Sequence, residues 1–87
     1  MFHYSICSVA DDVLFYRQCK ALERHIPGLY KAELLEDVDG TLVQIYQHFH
    51  GKLIVKNDIQ VDALYIDSEF DIDSYFGVDS ASAQEKS

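Results

Sequence analysis

Alternation of apolar and polar positions opens this chain, a helical period follows, and alternation then returns. Phe2, Tyr4 and Ile6 alternate with His3, Ser5 and Cys7, which predicts a first strand. Ser8 followed by Asp11 has the spacing of a helix capping box, and Asp11 and Asp12 suit a first helical turn. Leu14, Phe15, Gln18, Cys19, Leu22 and Ile26 then recur at helical spacing, with Arg17, Lys20, Glu23 and Arg24 between them. Pro27 and Gly28 end the helix.

The middle of the chain reads as a β-meander. Asp39-Gly40 predicts a tight hairpin between strands Tyr30 to Val38 and Thr41 to Phe49. Leu42, Ile45, Tyr46 and Phe49 also fit a helix, so residues 41–50 are strand or helix by periodicity alone. His50-Gly51 and Asn57-Asp58 supply later turns, with Lys52 to Lys56 and Ile59 to Ile66 as strands. Beyond Ile66 the alternation persists: Asp67, Glu69, Asp71 and Asp73 fall on one parity, and Ile66, Phe70 and Ile72 on the other, continuing to Phe76 and Val78. The expected fold class is therefore α+β, one N-terminal amphipathic helix packed on an antiparallel β-meander of four to five strands. Residues 1–78 form its single domain, and 79–87 a flexible acidic and polar C-terminal tail. Leu14, Phe15, Leu22, Ile26, Val43, Ile45, Leu53 and Val55 are the expected core, and the acidic strand is expected at or near a sheet edge.

Charge sharpens this pattern. Residues 57–87 carry eight acids against Lys86 alone, while residues 1–56 are close to neutral, so the overall charge of −8 is concentrated late in the sequence. Such a balance repels nucleic acid and anionic membrane, so no direct nucleic-acid binding and no membrane contact are expected. The start of the chain lacks a signal peptide's basic and apolar regions, and Cys7 and Cys19 are too few for a disulfide scaffold. A reduced, cytoplasmic setting is the expectation.

The candidate chemistry is tested by spacing. Asp37-Val38-Asp39-Gly40-Thr41-Leu42 resembles the first motif of the haloacid dehalogenase superfamily, which implies a nucleophile at Asp37 and an acid/base at Asp39. That chemistry needs an apolar strand leading in and a parallel sheet around it. Glu36 directly precedes the motif, and too little chain follows for crossover helices, so the stretch is read as a hairpin turn. Asp67, Glu69, Asp71 and Asp73 alternate like calcium-loop ligands, but the required glycine and glutamate positions hold Ile72 and Val78. His48 and His50 share strand parity, with His3 and His25 as distant further ligands, and Cys7 and Cys19 read as core residues. Catalytic residues, metal ligands and cofactors are accordingly assigned to none.

The acidic stretch remains. On a strand its carboxylates would stand about 6.6 to 6.8 Å apart, close to successive phosphates of a nucleic-acid strand. That makes a nucleic-acid mimic able to occupy a basic groove. Leu64-Tyr65-Ile66 followed by Asp67-Ser68-Glu69 also resembles a SUMO-interacting motif, which implies addition to a partner's sheet edge. The expected function is a small acidic, non-enzymatic protein-binding regulator or inhibitor, of the immunity-protein or phage-inhibitor type, masking a basic site on a nucleic-acid-processing partner. Its expected contact residues are Asp67, Glu69, Asp71, Asp73, Tyr65 and Tyr75. The alternatives are a metal-dependent phosphoryl-transfer or hydrolytic enzyme, and a homo-oligomeric structural module in which Ile72 and Phe76 complete a core between subunits.

Overall fold

The structure is a computed structural model that describes residues 1–75 and 85–86. Strand β1 spans Phe2–Cys7, helix α1 Asp12–His25, β2 Tyr30–Glu36, β3 Leu42–His48, β4 Gly51–Asp58 and β5 Ala63–Ser68. A two-residue strand, β6, Glu85–Lys86, pairs with β1. All pairings are antiparallel, in the order β2-β3-β4-β5-β1-β6. Consecutive strands of the meander are neighbours, and β1 closes onto β5 from the far end of the sequence. The fold class is α+β, as the pattern predicts. Three expectations about β5 are corrected: it begins at Ala63 after a turn over 59–62, Asn57 and Asp58 being the end of β4, it ends at Ser68, and it lies inside the sheet with a partner on each side. Most of the expected tail, with Phe76 and Val78, lies outside the described residues.

Asp11, not Ser8, caps the helix. Its backbone is extended, and its carboxylate accepts the Leu14 N–H at 3.1 Å, satisfying one of the first-turn donors. Asp12 adds negative charge at the positive end of the helix dipole, and Arg24 and His25 add basic groups at the other end. Ile26 closes the last turn through its N–H to the Leu22 carbonyl, and Gly28 at φ +80° takes a left-handed conformation that favours glycine.

The helix covers one face of the sheet. Phe15, Cys19, Leu22 and Ile26 meet Tyr4, Leu42, Tyr46, Leu53, Val55, Leu64 and Ile66, each almost wholly buried. Fully burying an aliphatic or phenylalanine side chain of this kind contributes about 1.5 to 3 kcal/mol. Val43 and Ile45 are not in this core. On β3, Leu42, Gln44, Tyr46 and His48 point at the helix, which leaves Val43 and Ile45 half-buried on the open face. Both parities of β3 carry apolar residues, so alternation alone selects the wrong one. Leu14 packs against the core from its margin.

Phe70 and Ile72 complete the core beyond β5. Both are buried although the chain has left the sheet, and Tyr4 holds the segment by accepting the Ile72 N–H at its hydroxyl. Ile72 therefore fills the chain's own interior, not a seam between subunits. His48 lies stacked against Phe70, with ring centroids 4.6 Å apart, and against Phe49 at 4.3 Å. Its Nε2–H donates to the Pro27 carbonyl, and its Nδ1 accepts the His50 N–H, which assigns the proton to Nε2.

Candidate functional site

The six residues singled out in the sequence do not make one surface. Tyr65 stands on the open face of β5, where its hydroxyl donates to Asp58 at 3.2 Å and its ring lies 5.1 Å from that of His3. Asp67, on the same face, pairs with His3 at 2.6 Å. Glu69 is past the end of the strand. Its main chain donates to the Lys52 carbonyl, and its carboxylate accepts the Lys52 N–H at 2.7 Å. A Cβ at Gly51 would come within 2.8 Å of the Glu69 Cβ, so glycine lets this loop close. Asp71 accepts from the Tyr4 hydroxyl and from the Asp73 N–H. Residues 73–75 are helical, and Tyr75 lies edge-on to His48 on the helix side of the sheet. The alternation of exposure is real: Glu69 and Asp71 are exposed while Phe70 and Ile72 are buried. The evenly spaced row is not, because only Asp67 of the four acids belongs to a strand.

Two further readings are settled by placement. Leu64-Tyr65-Ile66 cannot add to a partner's sheet, since β5 is already paired with β4 and β1. Asp37 to Thr41 form a hairpin turn, in which Asp37 N–H donates to the Thr41 carbonyl and Gly40 N–H to the Asp37 carbonyl. The loop is Val38-Asp39-Gly40 with Gly40 at φ +92°, one residue longer than the expected Asp39-Gly40 turn, and β2 stops at Glu36. Asp39 accepts the Thr41 N–H and braces the turn.

The fold gathers a different set of acids. In a meander every second turn falls at the same end of the sheet, so the β2–β3 and β4–β5 turns share a pole with the start of α1. Hydrogen bonds tie them together: Ile59 N–H to the Thr41 hydroxyl, Ala10 N–H to Asp62, and Asp11 N–H to Asn57. Asn57, fully buried, also donates to Asp12 at 2.9 Å. This pole carries Asp11, Asp12, Glu36, Asp37, Asp39, Asp58 and Asp62. A cleft of about 370 Å³ opens there. Glu36, Asp37, Asp39 and Asp58 line it with Leu35 and Val43, and Lys56 is the one base among the described residues that line it. Partial burial would raise the Asp58 carboxyl. The Val61 N–H, the Tyr65 hydroxyl and the Lys56 ammonium, 3.7 Å away, outweigh that and hold it below the usual range. Tyr65 moves the other way, its hydroxyl pushed up by burial with Asp58 adding to the rise.

A second recess, of about 570 Å³, lies along β1 and β5, where Cys7, Ser5, Ala63 and Tyr65 are joined by His3. Its lining is mainly apolar and neutral, and the Asp67 carboxylate already pairs with His3, so it offers no charge that selects a partner. Among the described residues no group of three or more His, Cys, Asp or Glu side chains is placed to hold a metal ion. His48 and His50 lie with rings 5.3 Å apart, but His48 already uses both nitrogens. No helix of the described residues is long and apolar enough to cross a membrane. No family model, curated protein or solved structure matches the chain.

The acidic cleft was present in the sequence only as two separate turn signals, Asp39-Gly40 and Asn57-Asp58. Counting strands between them would have placed both at one pole.

Proposed function

We propose that this chain is a small non-enzymatic binding protein that regulates or inhibits a partner by receiving a basic element of it in the cleft between the β2–β3 and β4–β5 turns. The observation that carries the reading is the lining of that cleft. Leu35 and Val43 offer apolar contact beside four carboxylates and one lysine, which suits the aliphatic stem and charged head of a lysine or arginine side chain. Isolated surface ion pairs contribute only about 0 to 1 kcal/mol, so one carboxylate would not suffice. Several of one sign, gathered at a recess, raise the association rate and select the partner's charge. A basic site on a nucleic-acid-processing protein, masked in the cytoplasm in the manner of an immunity protein, is the setting that this charge fits.

The Asp67 to Asp73 stretch is the competing surface. Its carboxylates are engaged with His3, the Lys52 N–H and the Tyr4 hydroxyl, whereas the Glu36 carboxylate at the cleft makes no hydrogen bond or ion pair among the described residues. The test captures the partner from a lysate of the source organism, identifies it, and measures association kinetics against ionic strength. Glu36→Lys with Asp37→Lys should slow association tenfold or more at low salt and flatten its salt dependence. Asp71→Asn with Asp73→Asn should leave the rate within twofold. Unchanged kinetics in the first variant would sink the proposal, and a large loss in the second alone would move the site to the other surface.

A further inference from the structure

Strand β2 differs from every other strand of the meander. It pairs with β3 on one side and with no strand on the other among the described residues, and all seven of its residues are exposed, although Lys31 reaches Glu23 of the helix in an ion pair at 3.4 Å. Tyr30 is 68% exposed, Leu34 47% and Leu35 43%. Proteins commonly blunt such an edge with proline, with lysines, with a bulge or by keeping it short. This edge has no proline and a single lysine, Lys31, and its bulge falls between Lys31 and Glu33. From Glu33 to Glu36 the pairing with β3 is regular, so that stretch keeps the geometry of a strand template.

We infer that β2 is a docking edge, to which an extended basic segment of the partner adds as a further strand. The inference rests on the proposed function of the cleft, since Leu35 and Glu36 belong to both. Charge decides the occupant. A second copy of this edge would bring Glu33, Glu36 and Asp37 towards their own counterparts, and like charges opposed across strands are destabilising. A basic strand meets the reverse situation. Register also sets the pattern of the segment: Glu33 and Leu35 pair with Ile45 and Val43 on the open face, while Leu34 and Glu36 pair with Gln44 and Leu42 on the helix face. Each face thus offers one leucine and one carboxylate. Because the order along β2 is acid, leucine, leucine, acid, the matching segment carries a basic residue, two apolar ones and a second basic residue, a pattern that reads the same in either strand direction.

The test uses the full chain and a synthetic peptide, acetyl-Thr-Lys-Lys-Val-Val-Lys-Lys-Thr-amide, which presents the pattern in both directions. The expected result is that backbone amide signals of Glu33 to Glu36 shift and their hydrogen exchange slows at least tenfold at saturation. The same peptide with glutamate in place of lysine should not bind. A version N-methylated along its backbone, which keeps the charges and removes the main-chain donors, should bind at least tenfold more weakly. If the N-methylated peptide bound equally and the shifts were confined to Lys56, Asp58 and Gln60, strand addition would be overturned while the acidic cleft kept its role. Shifts at neither place would overturn both. Slowed exchange at β2 in concentrated protein without peptide, together with a dimer by light scattering, would assign the edge to a second copy and overturn the basic partner.

Discussion

The two poles of the sheet are held together by different physics. At the acidic pole, single hydrogen bonds from buried or turn-forming side chains do the joining: Asn57 to Asp11 and Asp12, Thr41 to Ile59, Asp62 to Ala10. At the opposite pole the joints are rings and buried apolar groups, with His48 stacked between neighbours and Tyr4 locked over Ile72. The acids differ accordingly. Those of the ring-packed pole brace the loop after β5, whereas among the described residues the Glu36 carboxylate makes no hydrogen bond or ion pair and the Asp37 carboxylate caps only its neighbour's N–H. The lesson is that the closely spaced acids Asp67, Glu69 and Asp71 are taken up by the structure around them, while the charged pole is assembled from three separate segments.

Alkali should act most strongly at the ring-packed pole. Burial pushes the Tyr4 hydroxyl up to about 12. The Ile72 N–H works against that rise, and the Asp71 and Asp73 carboxylates reinforce it. Burial likewise raises Tyr46, with its hydrogen bond to Glu23 adding to the shift. A folded-state value above the unfolded one means stability that is fully present below pH 10 and is lost as the pH rises through the folded value. Tyr4 alone should remove about 3 kcal/mol between pH 10 and 12, at 1.36 kcal/mol per unit. Chemical unfolding followed across that range, with tyrosinate absorbance, checks it. Tyr4→Phe should show a shallower fall, and an equal slope in the variant would remove Tyr4 from the account.

A smaller effect belongs to the acidic pole. Asn57→Ala strips the buried partner of the Asp11 N–H and of the Asp12 carboxylate, which should cost about 2 kcal/mol. In a domain of this size that lowers the melting temperature by roughly 10 °C. A loss below about 0.5 kcal/mol in calorimetry would show that the pole is not joined through this side chain.

The smallest effect concerns the charges themselves. Glu36→Gln with Asp37→Asn should stabilise the chain by about 0.5 kcal/mol at low ionic strength, by relieving repulsion around the cleft. The gain should vanish near 1 M salt, where the screening length falls to about 3 Å. Destabilisation by this pair would mean that the cleft carboxylates hold the turns together, as those of Glu69 and Asp71 hold theirs.

Much of this fold was legible from periodicity, and the failures have identifiable causes. The first strand, the helix and the meander followed from alternation, helical spacing and turn residues. The facing of β3 did not, because Leu42 and Tyr46 on one parity and Val43 and Ile45 on the other are equally apolar. The buried and exposed parities through Ile72 were correctly read, but the strand was not, since alternating burial also arises where a loop is pinned to a core at every second residue. Nor could local pattern show that β1 pairs with β5, a contact that makes β5 internal and β2 the bare edge. The cleft stayed hidden for the same reason: its residues are remote in sequence and meet only through the order of strands.

That late pairing has a consequence for how the chain comes into being. Phe2 lies opposite Ser68, whereas β2 to β5 are joined successively by short turns. The meander can zip up from neighbouring pieces at little loop-closure cost, but the first strand leaves the ribosome without its partner. It waits, apolar and unpaired, until Ser68 has followed it out. A chain arrested before that point holds an opening strand that a chaperone would recognise, and a break introduced between Pro27 and Tyr30 would yield two fragments able to reassemble by complementation.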